Sequence, residues 1–362
     1  MHFDPRTAPS AARRRACAAL LLLLPLIGLS ATALAQTSSP DVRLARVGAL
    51  PAEHKPAGIP DDYVQTPFGY FPPACVRQVH NGERLLKDGG LQHANGTREQ
   101  AQACTQDNFT PNGTRVRPDG RGIDGQQVRG NAALAASRSR RSVPASISNG
   151  YMPASISKGY LKVAGYRTGT PLGRIVASWT VPQNPTNVAQ QTVYFFPGLQ
   201  SNDPMILQPV LGYRGENNGW DLSSWNCCQE GTVWYSDYIQ AKTGDQIVGD
   251  TYATCGTGSP CYDWNVDTRN LTTGQSVRLS TTYDIDSDLH LVIGGALEVY
   301  NLDSCDQYPP EGSIRFTNIG VYDYQLNRVR SPPWGTLDFS SGYDVQCDYD
   351  VQTTSTSATI FY

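Results

Sequence analysis

Residues 289–302, LHLVIGGALEVYNL, are apolar or glycine almost throughout and contain one carboxylate, Glu298. Val, Ile, Leu and Tyr favour β-structure, and such a run predicts a strand that is buried on both faces. Side chains alternate between the faces of a strand. One face is therefore expected to pack in the core and to carry Leu291, Ile293, Leu297 and Val299. The opposite face is expected to carry Val292, Gly294, Ala296, Glu298 and Tyr300.

Glu298 is the unusual residue of this strand. An ionised carboxylate away from water is costly unless it is paired or hydrogen-bonded. Two interpretations stay open: a local hydrogen bond or an arginine satisfies the carboxylate, or the carboxylate performs chemistry. Gly294 and Ala296 precede it on the expected face, and their small size leaves room for a molecule to lie across the sheet.

The region around this strand, residues 142–362, has the pattern of an all-β domain. Short runs rich in Val, Ile, Thr, Tyr and Trp recur, among them RIVASWTV, QTVYFFPGL, MILQPVLGY, GTVWYSDYIQ, SVRLSTTY and SIRFTNIGVYDY. KTGD, TTGQ and PPEG lie between runs and suit hairpin turns. The pattern predicts a jelly-roll β-sandwich of two sheets.

The N-terminus has the pattern of a secretory signal peptide. Arg13–Arg15 precede the apolar run ACAALLLLLPLIGLSATA, and Ala33-Leu34-Ala35 forms an A-x-A cleavage site. We therefore expect residues 1–35 to be removed and the protein to be secreted, into the extracellular space or the periplasm. No later run is apolar and long enough to span a bilayer.

Residues 36–141 differ in composition from the region that follows. They are loop-rich and contain 14 Lys and Arg against 10 Asp and Glu, whereas residues 142–362 contain 11 against 21. The opposite net charges predict a basic leader that lies on an acidic body. We interpret this leader as an inhibitory propeptide, and the alternative is a stable extra domain. The basic run 138–141 marks the boundary and is read either as a processing site or as a solvated linker.

Eight cysteines follow the signal peptide, an even number that suits an oxidising compartment. Cys75 and Cys104 stand alone in their region and are expected to pair, and Cys255 and Cys261 bracket a short loop that a disulfide could close. The pairing of the other four, Cys227, Cys228, Cys305 and Cys347, stays open.

Several classes of function are disfavoured by the sequence. There is no G-x-S-x-G, H-E-x-x-H or Walker motif, and His290 is the only histidine after residue 141. The acidic body disfavours binding to nucleic acid. We expect a monomer without a membrane partner, a metal ion or another cofactor.

Gln208 is the second polar residue in an apolar strand. In PMILQPVLGY, alternation places Ile206, Gln208 and Val210 on one face and Leu207 and Leu211 on the other. Such a glutamine is often a buried amide with partners. A glutamine that faces a glutamate can also be catalytic: the carboxylate acts as general base and then general acid, and the amide stabilises the oxyanion.

The order of these motifs resembles the eqolisin family of glutamic peptidases. ASWTVPQ, YFFPGLQ, ILQPV, TGDQIVGD, NLTTGQSV and ALEVYN, within residues 170–320, are similar to family strings in the same order. The resemblance implies two curved antiparallel sheets of concanavalin-like type and an acid endopeptidase that acts on protein or peptide substrates. It assigns Gln208 and Glu298 as the catalytic pair, and Trp225, Phe196 and Tyr300 as candidates for substrate binding.

The chain departs from the family pattern at three points. Phe195 or Phe196 replaces a tryptophan, Pro209-Val210 replaces Thr-Gly after the glutamine, and Val299 replaces a tryptophan after the glutamate. These changes fit either an altered specificity or a non-catalytic relative. The neprosin-type peptidases, which use two glutamates, are a more distant resemblance that Gln208 disfavours.

The alternative from another class is a carbohydrate-binding or glycan-cleaving jelly roll. It would present aromatic platforms beside Glu298, for which the candidates are Trp220, Trp225, Trp234 and Tyr235. A glycosidase also needs a second carboxylate at a set separation, for which the candidates are Asp221, Glu230 and Asp237. An acid opposite Glu298, together with a Gln208 that points into the core, would favour this alternative.

Overall fold

The structure is a computed structural model, and it describes residues 55–100, 103–111, 113–120, 160–201, 205–229, 231–255, 261–282, 289–338, 340 and 343–362. The expected signal peptide, the basic run 138–141 and Glu230 lie outside these residues.

Strands account for most of the described chain. In the leader they are β1 (Val64–Thr66), β2 (Gly69–Phe71), β3 (Val76–Gln78), β4 (Arg84–Leu85), β5 (Leu91–Gln92), β6 (Arg98–Glu99), β7 (Asn108–Phe109) and β8 (Arg115–Val116). The body begins with β9 (Tyr160–Arg167), β10 (Leu172–Thr180), β11 (Thr192–Ser201), β12 (Ile206–Arg214), β13 (Gly219–Gln229), β14 (Thr232–Tyr235), β15 (Ile239–Ala241) and β16 (Gln246–Ala253). It continues with β17 (Asp263–Asn270), β18 (Ser276–Thr282), β19 (Leu289–Tyr300), β20 (Ser313–Asp323), β21 (Gly335–Asp338), β22 (Asp350–Thr354) and β23 (Ser357–Phe361).

The described residues contain three short 3₁₀ turns, Pro73–Cys75, Gly215–Asn217 and Cys305–Gln307, and no α-helix. None of their helical segments has the length and apolar character needed to cross a membrane.

The strands form a β-sandwich, which confirms the predicted fold class. One sheet has ten strands in the order β22-β23-β20-β10-β16-β17-β18-β4-β5-β6. The other has nine, in the order β21-β9-β19-β11-β12-β13-β14-β3, with β15 beside β13. Apolar side chains from both sheets, including Phe195, Leu211, Leu297, Trp179 and Phe316, form the inner core between them.

The leader contributes strands to both large sheets. β3 pairs in parallel with β14, and β4 pairs in parallel with β18. The leader strands β1, β2, β7 and β8 form a separate four-stranded sheet. Its apolar residues pack with one face of the nine-stranded sheet, the face opposite the inner core, which we call the covered face. Removal of this segment as a propeptide stays a prediction.

Two adjacent glycines change the alternation of β19. The pairing of β11 with β19 shifts register between Ile293 and Ala296, at Gly294 and Gly295. A Cβ added to Gly294 would lie 2.8 Å from Trp334, and one added to Gly295 would lie 2.4 Å from Phe316, so both positions face the inner core. This arrangement has the features of a β-bulge, in which one extra residue reverses the alternation beyond it.

The bulge makes part of the predicted face assignment wrong. Leu297 and Val299 pack in the inner core as expected, but Leu291 and Ile293 lie on the covered face and Val292 lies in the core. The assignment of β12 is confirmed by its apolar residues: Leu207 and Leu211 lie in the inner core, and Ile206 and Val210 on the covered face.

Four disulfides join the eight cysteines. The expected Cys75–Cys104 and Cys255–Cys261 bonds are confirmed, and the four cysteines left open pair as Cys227–Cys228 and Cys305–Cys347. Four disulfides fit an extracellular protein.

We expect Gly295→Ala to destabilise the fold by about 1–3 kcal/mol, because the new methyl group would overlap the Phe316 ring in a packed core. Denaturant unfolding measures the change. Gly169→Ala is the matched control, since an added Cβ there meets nothing within 4 Å. Equal stability of the two variants would contradict this account of the bulge.

Candidate active site

Glu298 lies on β19, an interior strand of the nine-stranded sheet, and has no exposed surface. Its Oε1 accepts a hydrogen bond of 2.8 Å from the Tyr300 hydroxyl, two residues along the same strand. Tyr194 of β11 is its direct cross-strand partner, and the Tyr194 and Tyr300 rings meet edge to face at 6.1 Å. The carboxylate is therefore held among phenol side chains, and the expected local hydrogen bond is present.

Both phenols keep their protons. Burial raises the pKa of Tyr194 and, together with the charge of Glu298, raises the pKa of Tyr300 well above its usual value. Arg214 acts in the opposite direction on Tyr194 without reversing the shift. At neutral and acid pH each hydroxyl is therefore a hydrogen-bond donor.

Arg214 and Asp221 form a buried ion pair beside these phenols. Arg214 Nη1 lies 2.8 Å from Asp221 Oδ2, and its Nη2 donates a long hydrogen bond of 3.5 Å to the Tyr194 hydroxyl. The guanidinium also lies over the rings of Tyr194 and Tyr238, at 5.9 and 5.7 Å from their centroids. Burial alone would lower the pKa of Arg214, but the Asp221 charge and the phenols raise it well above the usual value.

Gly212 permits the close approach of Tyr194 and Asp221. It pairs with Tyr194 on one side and with Asp221 on the other, so the three residues and Glu298 form one cross-strand row. A Cβ at Gly212 would lie 3.2 Å from both the Tyr194 ring and Asp221 Oδ1. Because Gly212 has no side chain, Tyr194 and Asp221 can approach each other across β12.

Gln208 lies on the same sheet, fully buried, in a different row. Its cross-strand partner is Trp225, and neither its amide nitrogen nor its amide oxygen has a hydrogen-bond partner among the described residues. Alternation from Ile206 and Val210 places it on the covered face and not in the inner core. A buried amide without protein partners is uncommon in native proteins and calls for a specific explanation.

The structure does not bring Gln208 and Glu298 into contact. The row of Glu298 crosses β12 at Gly212, four residues from Gln208, which corresponds to roughly 13 Å along the strand. The two residues are also two strands apart, a further ~10 Å across the sheet. A ligand that touches both would have to lie between them.

The other predicted residues divide between the faces. Phe196, Trp225 and Tyr235 are buried on the covered face, whereas Trp220 and Trp234 pack in the inner core. The expectation that Trp220 and Trp234 form platforms beside Glu298 is therefore wrong. The reason is alternation, because each is an odd number of residues from its covered-face neighbour on the same strand.

The two described candidates for a second carboxylate, Asp221 and Asp237, lie in different places. Asp221 lies in the row of Glu298, whereas Asp237 contacts the leader through His80. Within the described ranges, no three His, Cys, Asp or Glu side chains are grouped so that they could hold a metal ion.

The sequence reasoning missed Tyr194, Arg214 and Tyr238. A signal for Arg214 was present, because residues 208, 210, 212 and 214 share a face of β12 and only the last carries a charge. Arg214 Nε and the Tyr238 hydroxyl also lack hydrogen-bond partners among the described residues. Together with Gln208, they give the covered face several unsatisfied polar atoms.

The leader covers this face with its first hairpin. The Phe68 ring meets Trp225 edge to face at 6.1 Å, and the Tyr70 ring meets Tyr300 in the same way at 5.9 Å. The Phe68 and Tyr70 side chains are themselves buried. A polypeptide segment of this chain therefore lies over the residues that carry the candidate chemistry.

Polar contacts join the leader to the body beside this hairpin. Asp237 accepts contacts from His80 Nδ1 at 2.6 Å and from Gln78 Nε2 at 2.9 Å. Arg84 lies 3.1 Å from Asp263. These contacts agree in sign with the charge pattern of the sequence, in which a basic leader meets an acidic body.

Comparison with known proteins gives only distant similarity. No family model matches the chain, and no curated protein does. A scytalido-glutamic peptidase bound to a peptide-based transition-state analogue has 17% identity and a TM-score of 0.40, covering 56% of this chain and 98% of that one. SCP-B of the eqolisin family, bound to the tripeptide Ala-Ile-His, has 17% identity and a TM-score of 0.39 over the same shares.

The enzymatically active domain of tailspike protein 2 from bacteriophage CBA120 has 14% identity and a TM-score of 0.26, covering 50% of this chain and 28% of that one. Similarities at these levels assign neither a family nor an activity.

We expect Arg214→Met to destabilise the protein by about 3 kcal/mol, at the low end for a broken buried pair because Asp221 is 20% exposed. Asp221→Asn should also destabilise it, and the double variant should lose less than the sum of the two. Denaturant unfolding of all four proteins gives the coupling energy, with the exposed Arg315→Met as the control. Strict additivity would show that the pair is not coupled.

Proposed function

We propose that the protein is an exported endopeptidase of glutamic type that is made as a proenzyme. The observation that carries the proposal is the occupant of the covered face. The leader hairpin lies over Trp225 and Tyr300, so the face accommodates polypeptide backbone with large side chains. A substrate peptide would take the place of this hairpin.

In the proposed reaction, Glu298 acts first as a general base. It removes a proton from a water molecule, the water oxygen bonds to the peptide carbonyl carbon, and a tetrahedral oxyanion forms. Glu298 then gives the proton to the amide nitrogen, and the carbon–nitrogen bond breaks. Tyr300 holds the carboxylate in place through its 2.8 Å hydrogen bond.

Gln208 is the proposed donor to the oxyanion. Its amide has no competing hydrogen-bond partner among the described residues, so the amide nitrogen is available to donate to a substrate oxygen. The backbones of Gln208 and Glu298 lie roughly 16 Å apart, so the substrate carbonyl would have to lie between the two side chains for both to reach it. Hydrogen bonds aimed at the developing charge are among the largest contributions to such a reaction.

We propose that residues 36–141 are the inhibitory leader and residues 142–362 the catalytic domain. The support is the position of β1 and β2 on the covered face and the contacts of His80 and Arg84 with body carboxylates. Acid lowers the negative charge of the body as a whole and would weaken its attraction for the basic leader. Cleavage near residues 138–141 would make the separation permanent.

Glycan cleavage is the second candidate, and Asp221 is the observation that favours it. Asp221 shares the cross-strand row of Glu298, and Arg214 holds it in an ion pair. Two carboxylates on one face are the minimum for a glycosidase. Two strands lie between them, so their backbones are roughly 14 Å apart. The occupant of the face is a peptide, which favours the peptidase.

We expect Glu298→Gln and Gln208→Ala each to reduce proteolysis at acid pH by a factor of about 100 or more while the protein stays folded. Hydrolysis of a denatured protein measures the loss, with Glu311→Gln and Gln352→Ala as matched controls on exposed residues. The wild-type activity should resist chelators and reagents directed at serine or cysteine. Folded variants that keep full activity would remove both residues from the mechanism, and release of sugar from a glycan would favour the second candidate.

We also expect Asp237→Asn in the full chain to raise the pH at which activity first appears, because the variant lacks the charge that pairs with His80. The shift should be less than about one pH unit, since a partly exposed pair contributes about 0–1 kcal/mol and one unit corresponds to about 1.4 kcal/mol.

Activity against time at stepped pH values measures this onset, and Asp348→Asn, on an exposed residue, is the control. Full activity of the intact chain at neutral pH would contradict the inhibitory role of the leader.

A further inference from the structure

Phe68 and Tyr70, two of the leader side chains on the covered face, occupy two distinct aromatic environments. Phe68 and Tyr70 are separated by one residue, Gly69, and both are buried. Each meets a ring of the nine-stranded sheet edge to face, an arrangement favoured by the quadrupole of aromatic rings. The leader therefore marks two positions at which the face receives a large ring.

The first position is lined by three rings of the body. Trp225 lies 5.3 Å from Tyr235 and 6.4 Å from Tyr238, and the last two lie 5.6 Å apart. The Trp225 nitrogen donates to Ser223 Oγ at 2.7 Å, which satisfies its polar atom within the sheet. What remains for a ligand is aromatic surface, and its occupant, Phe68, has no polar side-chain atom.

The second position lies beside the candidate carboxylate. Tyr70 meets Tyr300, whose hydroxyl is hydrogen-bonded to Glu298, and Tyr300 in turn meets Tyr194. Phenol groups surround this position, and its occupant is itself a tyrosine. Burial raises the pKa of Tyr70, so its hydroxyl stays a donor.

The face retains polar atoms that the leader does not satisfy. The amide of Gln208, the Nε of Arg214 and the hydroxyl of Tyr238 have no hydrogen-bond partner among the described residues. Buried donors and acceptors of this kind can be satisfied by a ligand or by water. Their positions beside both aromatic positions fit a ligand with a polar backbone as well as large side chains.

We propose that the covered face holds two substrate subsites and selects peptides with the pattern of a large apolar ring, one intervening residue and a tyrosine. The first subsite is formed by Trp225, Tyr235 and Tyr238, and the second by Tyr300 and Tyr194. The inference rests on the proposed peptidase function and assigns its substrate class. Because Glu298 adjoins the second subsite, the cleaved bond is one next to the residue bound there.

The test uses the full-length protein, held at acid pH until proteolytic activity is constant. The value of kcat/KM is measured for four quenched fluorescent peptides of one scaffold, with the central sequences Phe-Gly-Tyr, Ala-Gly-Tyr, Phe-Gly-Ala and Phe-Gly-Gly-Tyr. We expect the first to exceed each of the others by about tenfold or more, because each replacement leaves an aromatic subsite empty or out of register. Hydrolysis of a denatured protein of mixed composition is measured in parallel.

Variants assign the first subsite to its residues. Trp225→Ala should reduce the preference for Phe-Gly-Tyr over Ala-Gly-Tyr and keep the preference for Phe-Gly-Tyr over Phe-Gly-Ala. Trp225→Phe, which keeps a ring, should show a smaller change and serves if the alanine variant does not fold. In the leader, Phe68→Ala should shorten the lag before activity appears. Gln92→Ala, on an exposed leader residue, should leave the lag unchanged.

The outcomes separate this inference from the function on which it rests. Equal rates for the four peptides, with the denatured protein still digested, would overturn the subsites and leave the peptidase function standing. A Trp225 variant that lowers all four rates equally would overturn the assignment of the first subsite. Failure to digest any substrate would overturn the proposed function and this inference with it.

Discussion

The carboxylate of Glu298, buried in the middle of a β-sheet, is the constraint around which the covered face is arranged. A charge that has lost its water must be compensated by hydrogen bonds or by opposite charge. Tyr300 supplies a hydrogen bond directly, and Tyr194 stands opposite on the next strand. Arg214 donates a hydrogen bond to the Tyr194 hydroxyl, and Asp221 neutralises the charge of Arg214. Two acids, one base and their phenols thus form one network across four strands.

The leader completes the burial of this network and is itself anchored on the two large sheets. β3 extends the nine-stranded sheet in parallel with β14, and β4 extends the ten-stranded sheet in parallel with β18. These pairings cover edges that would otherwise expose unpaired backbone groups. The short segment between β3 and β4 places His80 against Asp237. One stretch of about ten residues therefore joins both sheets of the sandwich and carries polar contacts to the body.

The fold class could be predicted because its physical signals are local. Strands of seven to twelve residues are long enough for the alternation of side chains between the two faces to be recognised. Hairpin turns also favour characteristic residue types. The faces of β12 were predicted correctly for the same reason. The faces of β19 were predicted wrongly in part, because the bulge at Gly294–Gly295 reverses the alternation. A single sequence does not show how many residues of the paired strand lie opposite such a position.

The leader strands could not be predicted, and neither could the network. β4 to β8 contain two residues each, too few for any periodicity, and the strand that joins β4 to the body, β18, lies in a distant part of the chain. Gln208 and Glu298 stood out because each interrupts a run of apolar residues. Tyr194 did not, because its role depends on which strands are neighbours, and Arg214 was marked only as the one charge on its face of β12. The row from Glu298 to Asp221 exists only once β19, β11, β12 and β13 are placed side by side.

The strand pairing and apolar contacts of the leader determine what its release would require. A cut in the chain between residues 120 and 160 would leave the strands β3 and β4 paired and the hairpin of Phe68 and Tyr70 on the covered face. Because these contacts are backbone pairing and apolar burial, loss of the chain connection alone removes none of them. Charge is the weaker part of the interface, but it is the part that changes with pH. A proenzyme built in this way would need acid to loosen the leader and proteolysis to prevent its return, and neither step would replace the other.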